Sequence, residues 1–280
     1  MEVSFATTGM TARFARVVLG LLLLAAAISG LPVASAESTG ATEPISVAES
    51  LSVGQWEALW TRVLVQRVDG AGRIDFAALA QDHADLDRVV AFVAAFDPNS
   101  RPQWFPDRVS RVAFYINAYN ALAMHGIVDA GVPKSLGGLT KFGFFYLRKF
   151  VVGGKSISLY DLENDVIRPL GEERIHFVLN CMVVGCPRLP RAAFSADTLE
   201  RELDAAARLF IGEERNVSAD PVLHEVRLSA IFDFYTSDFL SHAPSLIGYV
   251  NRYRGEPVPA DFKVRFFDYD WTVNARGRIR

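Results

Sequence analysis

The stretch that most constrains this chain is Val112 to Leu122, Val-Ala-Phe-Tyr-Ile-Asn-Ala-Tyr-Asn-Ala-Leu, which is apolar on nearly every face of a helix. A helix without a polar face has to be enclosed on most sides, so the rest of the chain must be built around it. The spacing predicts that this helix starts after Pro106 and runs to about Asp129. Asn117 and Asn120 sit three residues apart in its middle and share one face. Burying an amide without a partner costs roughly 1–3 kcal/mol, so both must find one. Two readings stay open. The amides hold the backbone of a neighbouring loop, or they line a pocket and position a substrate carbonyl or peptide.

The elements around that helix follow from periodicity. Trp56, Leu59, Trp60, Val63 and Leu64 recur at helical spacing and predict a first helix with two tryptophans in its buried stripe. Gly70 to Gly72 marks a break, Arg73 to Phe76 a short extended piece, and Leu79, Leu86, Val89, Val90 and Val93 a second helix. Gly153-Gly154, between Arg148–Val152 and Lys155–Ile157, suits the positive φ angles of a tight hairpin turn. Ser158 is placed to cap a helix that Pro169 closes. Arg174 to Asn180 reads as a strand leading into the loop between Cys181 and Cys186. Ser195 and Ser229 are placed to cap later helices, and Lys263 to Val273 alternates as a strand does. With no repeat or long linker dividing these elements, the expected fold class is α+β: a mostly helical single domain over residues 51–280, packed on a small, largely antiparallel sheet.

The amino terminus carries an address. Arg13 and Arg16 precede an apolar run from Val17 to Ile28, and Ala34-Ser35-Ala36 supplies small residues for cleavage. A spanning helix needs roughly 20 apolar residues, and this run is broken by Ser29-Gly30 and Pro32. Residues 1–36 are therefore expected to be a cleaved signal peptide and 37–50 a flexible lead-in, leaving a periplasmic or extracellular chain without a stable membrane span. Taking Arg13, Arg16 and Glu2 from the 29 basic and 32 acidic residues leaves 27 and 31, mild and dispersed. No basic stripe suggests nucleic acid as a partner.

Chemistry concentrates around His176, Asn180, Cys181 and Cys186. A cysteine hydrolase needs a thiolate, a His that takes and returns a proton, and a polar group that orients the His or holds an oxyanion. On an extended chain, at roughly 3.3 Å per residue, His176 would sit on the order of 16 Å from Cys181 and face the other way, which favours Cys186 as nucleophile. An oxidising compartment favours a structural disulfide closing the short loop instead. Glu163 is a candidate to orient His176, or else an ordinary partner for Arg168. His83, His125, His224 and His242 are scattered without metal spacing, so no metal or cofactor is expected.

Four segments together resemble one family. They are Phe114 to Leu122, Leu159 to Asn164 before Arg168, Ile175 to Cys181 with Gly185-Cys186-Pro187-Arg188-Leu189, and Tyr269-Asp270-Trp271. Their order and spacing resemble the family catalogued as domain of unknown function 547, over roughly Trp56 to Asn274. The resemblance implies one domain and little about activity, because the family's chemistry was unassigned when it was defined. It implies exported bacterial members and larger plant members with coiled-coil segments; this chain has no heptad stretch. The resulting expectation is an exported, soluble module that binds a small molecule, peptide or protein and carries a structural disulfide. The alternative is a cysteine-type hydrolase or acyl transferase acting on an amide or ester in the cell envelope, with a thiol redox role ranked below it. In that alternative His176, Cys186, Cys181 and Glu163 carry the chemistry, and Asn117, Asn120, Asn180 and Arg188 bind substrate.

Overall fold

The computed structural model describes residues 51–277; the expected signal peptide and lead-in lie outside the described residues. Ser52 accepts a hydrogen bond from the Gln55 amide while the Gln55 side chain accepts from the Ser52 amide, and this reciprocal cap opens helix α1 (Val53–Arg67). Trp56, Leu59, Trp60, Val63 and Leu64 form its buried stripe, as their spacing predicts. The Trp56 indole stacks on Phe92 with ring centroids 5.2 Å apart and donates its N–H to the Val89 carbonyl.

The second helix is two. Helix α2 (Phe76–Gln81) and helix α3 (Ala84–Ala95) are separated at Asp82 and His83. Asp82 is extended there and its carboxylate accepts from the Ala84 amide, a local bond that competes with continuing the helix. The extended piece before α2 shrinks to single bridges from Ile74 to Val68 and Ala275.

Helix α4 (Arg108–Asp129) is the enclosed element, buried at every position from Val112 to Met124. Both asparagines take the backbone-holding role. Asn117 donates to the Phe194 carbonyl and accepts from the Phe194 amide. Asn120 donates to the Val178 carbonyl and accepts from the Asn180 amide.

Strands β1 (Phe150–Val152) and β2 (Lys155–Ile157) pair as the expected antiparallel hairpin, with φ of 55° at Gly153 and 80° at Gly154. Those glycine amides donate to the Val93 and Ala94 carbonyls, which docks the turn on the end of α3. Ser158 caps helix α5 (Leu159–Asp161), which widens into a π-helical turn over Leu162–Ile167 and tightens to a 3₁₀ turn at Arg168–Leu170.

Arg174 to Asn180 is not a strand. Glu173–Phe177 forms a 3₁₀ turn, and the Val178 and Leu179 amides both donate to the Ile175 carbonyl. The apolar run here is enclosed on several sides, a condition under which periodicity does not separate a buried strand from a buried helical turn. Glu172 starts the turn by accepting from the Arg174 amide, and the Arg174 guanidinium clasps the same carboxylate at 2.6 Å.

Helix α6 (Leu199–Gly212) leads to strands β3 (Val217–Asp220) and β4 (Glu225–Leu228), which pair antiparallel. Helices α7 (Ala230–Phe234), α8 (Thr236–Leu240) and α9 (Leu246–Val250) follow, and strand β5 (Lys263–Phe266) lies parallel to β4. The expected terminal strand stops at Phe266; beyond it Thr272, Val273 and Ala275 make isolated bridges to Ser135, Val183 and Ile74. The architecture is thus α+β and mostly helical, with two small sheets in which one pairing is parallel. One apolar cluster surrounds α4, and a second joins α6, the three-stranded sheet and α7–α9 through Phe177. Among the described residues no helix is long and apolar enough to cross a membrane.

Glu57 on α1 carries an electrostatic cost. Burial first, and then the neighbouring carboxylates of Asp197 and Glu202, push it up to about 7 from an ordinary 4.5. The folded chain holds a proton that the unfolded chain releases at lower pH, so this contribution is complete below about 4.5 and lost as pH rises through about 7. Glu57→Gln is expected to raise Tm by about 2–4 °C at pH 8 and to leave it unchanged at pH 4. Thermal unfolding of both proteins at the two pH values checks this; an equal shift at both would refute it.

Candidate functional site

The cysteine loop is set from the central helix outward. Asn120 fixes the Asn180 amide, and Asn180 in turn accepts from the Met182 amide and donates to the Pro187 carbonyl, so one buried side chain ties both ends of the loop. Met182 is held at φ 67° within it, a left-handed conformation that costs a non-glycine residue on the order of 1–3 kcal/mol. The carboxyl-terminal segment braces the other side: Val184 and Gly185 amides donate to the Thr272 and Asp270 carbonyls, and the Asn274 amide donates to Met182. Gly185 is required sterically. A Cβ there would lie 2.9 Å from the Tyr269 ring, so only glycine lets that ring cross the loop.

The consequence is a close trio of polar groups. Cys181 and Cys186 are free thiols with sulfur atoms 2.7 Å apart, well beyond the roughly 2.05 Å of a disulfide bond. The structural disulfide expected from the short loop is therefore not formed. Cys186 Sγ also accepts from the Cys181 amide at 3.1 Å, and the Tyr269 hydroxyl stands 3.3 Å from it and 3.6 Å from Cys181 Sγ. Burial alone would raise the Cys186 thiol, but hydrogen bonds from Cys181, Tyr269 and the loop backbone outweigh it and hold Cys186 below its ordinary value. Cys181, hydrogen-bonded to Cys186 and buried beside it, is pushed well above. The two shifts run in opposite directions, so of the pair Cys186 is the readier to lose its proton.

The cleft these groups line, about 320 Å³ in volume, is also lined by Glu163 and His176. Glu163 sits on the wide turn after α5 and accepts from the hydroxyls of Tyr119, at 3.2 Å, and Tyr235. Burial and then the charge of Glu163 push both phenols well above their ordinary value, so they remain donors. His176 does not meet Glu163. Its Nε2 lies 2.9 Å from Asp238, and its ring stacks on Tyr235 with centroids 3.7 Å apart. The His176 hydrogen bond, followed by that of Arg168, holds the Asp238 carboxyl well below the usual range in spite of burial. Arg168 likewise pairs with Asp238 rather than Glu163, through two parallel hydrogen bonds of 2.8 and 2.7 Å. At the rim the Lys141 ammonium lies 4.3 Å over the Trp271 ring and 5.9 Å over Phe234.

Folding thus brings His176, Cys181, Cys186 and Glu163 onto one cleft. It leaves Asn117, Asn120 and Asn180 behind the wall with their amides committed to backbone, and Arg188 outside, paired with Glu213. Reasoning from sequence missed Asp238, Tyr235 and Lys141, which lie outside the four quoted segments. Tyr119 and Tyr269 fall inside those segments, and their hydroxyls were the available signal. Such a cleft defines a helical α+β protein with a tuned pair of thiols facing a tyrosine-bound carboxylate. The model of the family described as "Protein of unknown function, DUF547" matches residues 105–211 of the chain. No curated protein and no solved structure matches the chain.

If Tyr269 donates to the Cys186 thiolate, its loss raises the pH at which that thiol reacts. Tyr269→Phe and Gly185→Ala are each expected to move the midpoint of Cys186 alkylation by iodoacetamide upward and to slow it several-fold at pH 7. Peptide mass mapping across a pH series measures this. An unchanged midpoint in Tyr269→Phe would remove the hydroxyl from the account.

Proposed function

We propose that the cleft is the site of a dithiol–disulfide exchange enzyme in which Cys186 is the nucleophile and Cys181 the resolving thiol. The observation that carries this reading is the 2.7 Å sulfur contact with its donors converging on Cys186. Thiol–disulfide exchange runs through a thiolate and a mixed disulfide, and a second thiol already in contact is what completes such a cycle. The Cys186 thiolate attacks one sulfur of a substrate disulfide, and the leaving sulfur takes the proton of Cys181. The Cys181 thiolate then attacks Cys186 Sγ, the second substrate sulfur departs as a thiolate that solvent protonates, and a Cys181–Cys186 bond remains. The substrate is reduced by two electrons and the protein oxidised by two; an external dithiol returns it. Aromatic walls and the Lys141 ammonium suit a substrate with apolar and anionic parts.

A cysteine hydrolase is the second reading, favoured by His176 lining the same cleft. Against it, the His176 Nε2 is engaged by Asp238 and its face by Tyr235, and among the described residues the hydrogen bonds of the two thiols run to each other, to the Cys181 amide and to Tyr269. The experiment that separates them uses oxidised glutathione as probe. Cys181→Ser is expected to accumulate a mixed disulfide on Cys186, and the wild type to pass to an internal disulfide, read by intact mass. Absence of the mixed disulfide, or a stable acyl adduct on Cys186 with an activated ester, would overturn the exchange reading.

Export fits this chemistry. We propose that residues 1–36 direct secretion and are removed, and that the thiol pair works in an oxidising compartment. Protein recovered from a secreting host is expected to begin at Glu37, and intact mass retaining residues 1–36 would refute it.

A further inference from the structure

His83 and His125, remote in sequence, meet on the face opposite in character to the thiol cleft: open, polar and without sulfur. His83 stands at the start of α3, Asp87 one turn into it, and His125 near the end of α4. His83, Asp87 and His125 each bring one possible ligand atom within 4.8 Å of the others. The individual separations are 2.8 Å from His83 Nδ1 to Asp87 Oδ1 and 3.1 Å from His125 Nε2 to the same oxygen. The two rings stand edge to face at 87°.

The second observation is behind His125. Its other nitrogen, Nδ1, lies 3.2 Å from Asp129 Oδ2, and Arg148 stands 3.5 Å from that same carboxylate oxygen. A neutral imidazole carries one N–H, so it cannot donate to Asp129 and Asp87 together. If Nδ1–H serves Asp129, the lone pair of Nε2 is left aimed at the Asp87 carboxylate, an unfavourable pairing that a cation between them reverses. A carboxylate behind the far nitrogen of a ligating His is also the arrangement that fixes tautomer and ring orientation at metal sites.

We propose that His83, Asp87 and His125 form a site for a divalent transition ion of the zinc type, with Asp129 as the positioning residue for His125. Zinc takes imidazole nitrogen and carboxylate oxygen at about 2.0–2.2 Å, which puts tetrahedral ligand atoms about 3.4 Å apart. The observed pairs at 2.8 and 3.1 Å need to open by about 0.6 and 0.3 Å, and the two imidazoles, within 4.8 Å of each other, have to settle to the same spacing. Two of the three ligand residues are well exposed, with side chains 37% and 46% accessible at His83 and Asp87, so solvent completes the coordination. The donor set of two imidazoles and one carboxylate selects against magnesium and calcium, which take oxygen. A bound ion would clasp the start of α3 to the end of α4.

Zinc titration followed by calorimetry tests this, using the full chain free of any affinity tag and carrying Cys181→Ser and Cys186→Ser so that the thiols cannot bind. The expected result is one zinc per chain at micromolar affinity, with no response to magnesium. Asp129→Asn is expected to weaken binding by about 10–100-fold while leaving the ligands in place. His125→Ala and His83→Gln should each abolish it, and the exposed His83 position tests the site without disturbing the core. Absence of saturable zinc binding, or binding that survives both His substitutions, overturns the proposal. Because the thiols are removed, either outcome is independent of the exchange reading.

Discussion

The structure depends on a buried amide relay. A helix as apolar as α4 has to be enclosed, and Asn117 and Asn120 convert that enclosure into geometry. Each amide accepts and donates in a single backbone clamp, so burial and satisfaction are met together. A leucine at either position would bury equally well and would leave the Phe194 or Asn180 backbone without its partner. The second clamp propagates, because the backbone that Asn120 holds belongs to Asn180, whose own side chain closes the cysteine loop. The enclosed helix thereby sets the position of the cysteine loop.

What the relay positions is a pair of acidic groups on one cleft, each with its own hydrogen-bond partners: Cys186 has Cys181 and Tyr269, Glu163 has Tyr119 and Tyr235. Phenols serve this purpose because burial keeps them protonated, so they donate without adding charge. A third acidic group, Asp238, is neutralised by Arg168 and takes His176 with it. The imidazole that sequence reasoning assigns to proton transfer is thus engaged by the Asp238 carboxylate and stacked on Tyr235.

Much of this was legible from residue order. The stripe of α1, the enclosure of α4, the glycine hairpin and the Ser158 cap each rest on a local pattern, and each formed. The Arg174 to Asn180 turn did not follow from pattern, because its side chains are buried on several sides and alternation carries no information there. With that turn misread, the distance and facing argument between His176 and Cys181 also fell. Asp238 was invisible for another reason: it reaches His176 across sixty-two residues, and a Ser-Asp-Phe stretch on a short helix carries no mark of its distant partner. The pair of His83 and His125 was hidden in the same way, since only the packing of α3 on α4 brings them together.

The division of the cleft between two parts of the chain bears on how its chemistry is controlled. The matched stretch of residues 105–211 contains both thiols, Glu163, His176 and the asparagine relay. Tyr235, Asp238, Tyr269 and Trp271 lie outside it, on the second core and the carboxyl-terminal segment. Those outside residues supply the hydroxyl beside Cys186, one of the two phenols on Glu163 and the carboxylate that holds His176. A chain with the same central stretch but a different flank would keep the two thiols and lose these partners. On this argument the reactivity of Cys186 is a property of the whole fold: Tyr269 reaches it only because Gly185 leaves room, and Gly185 is held in place by the Asp270 carbonyl beside that same tyrosine.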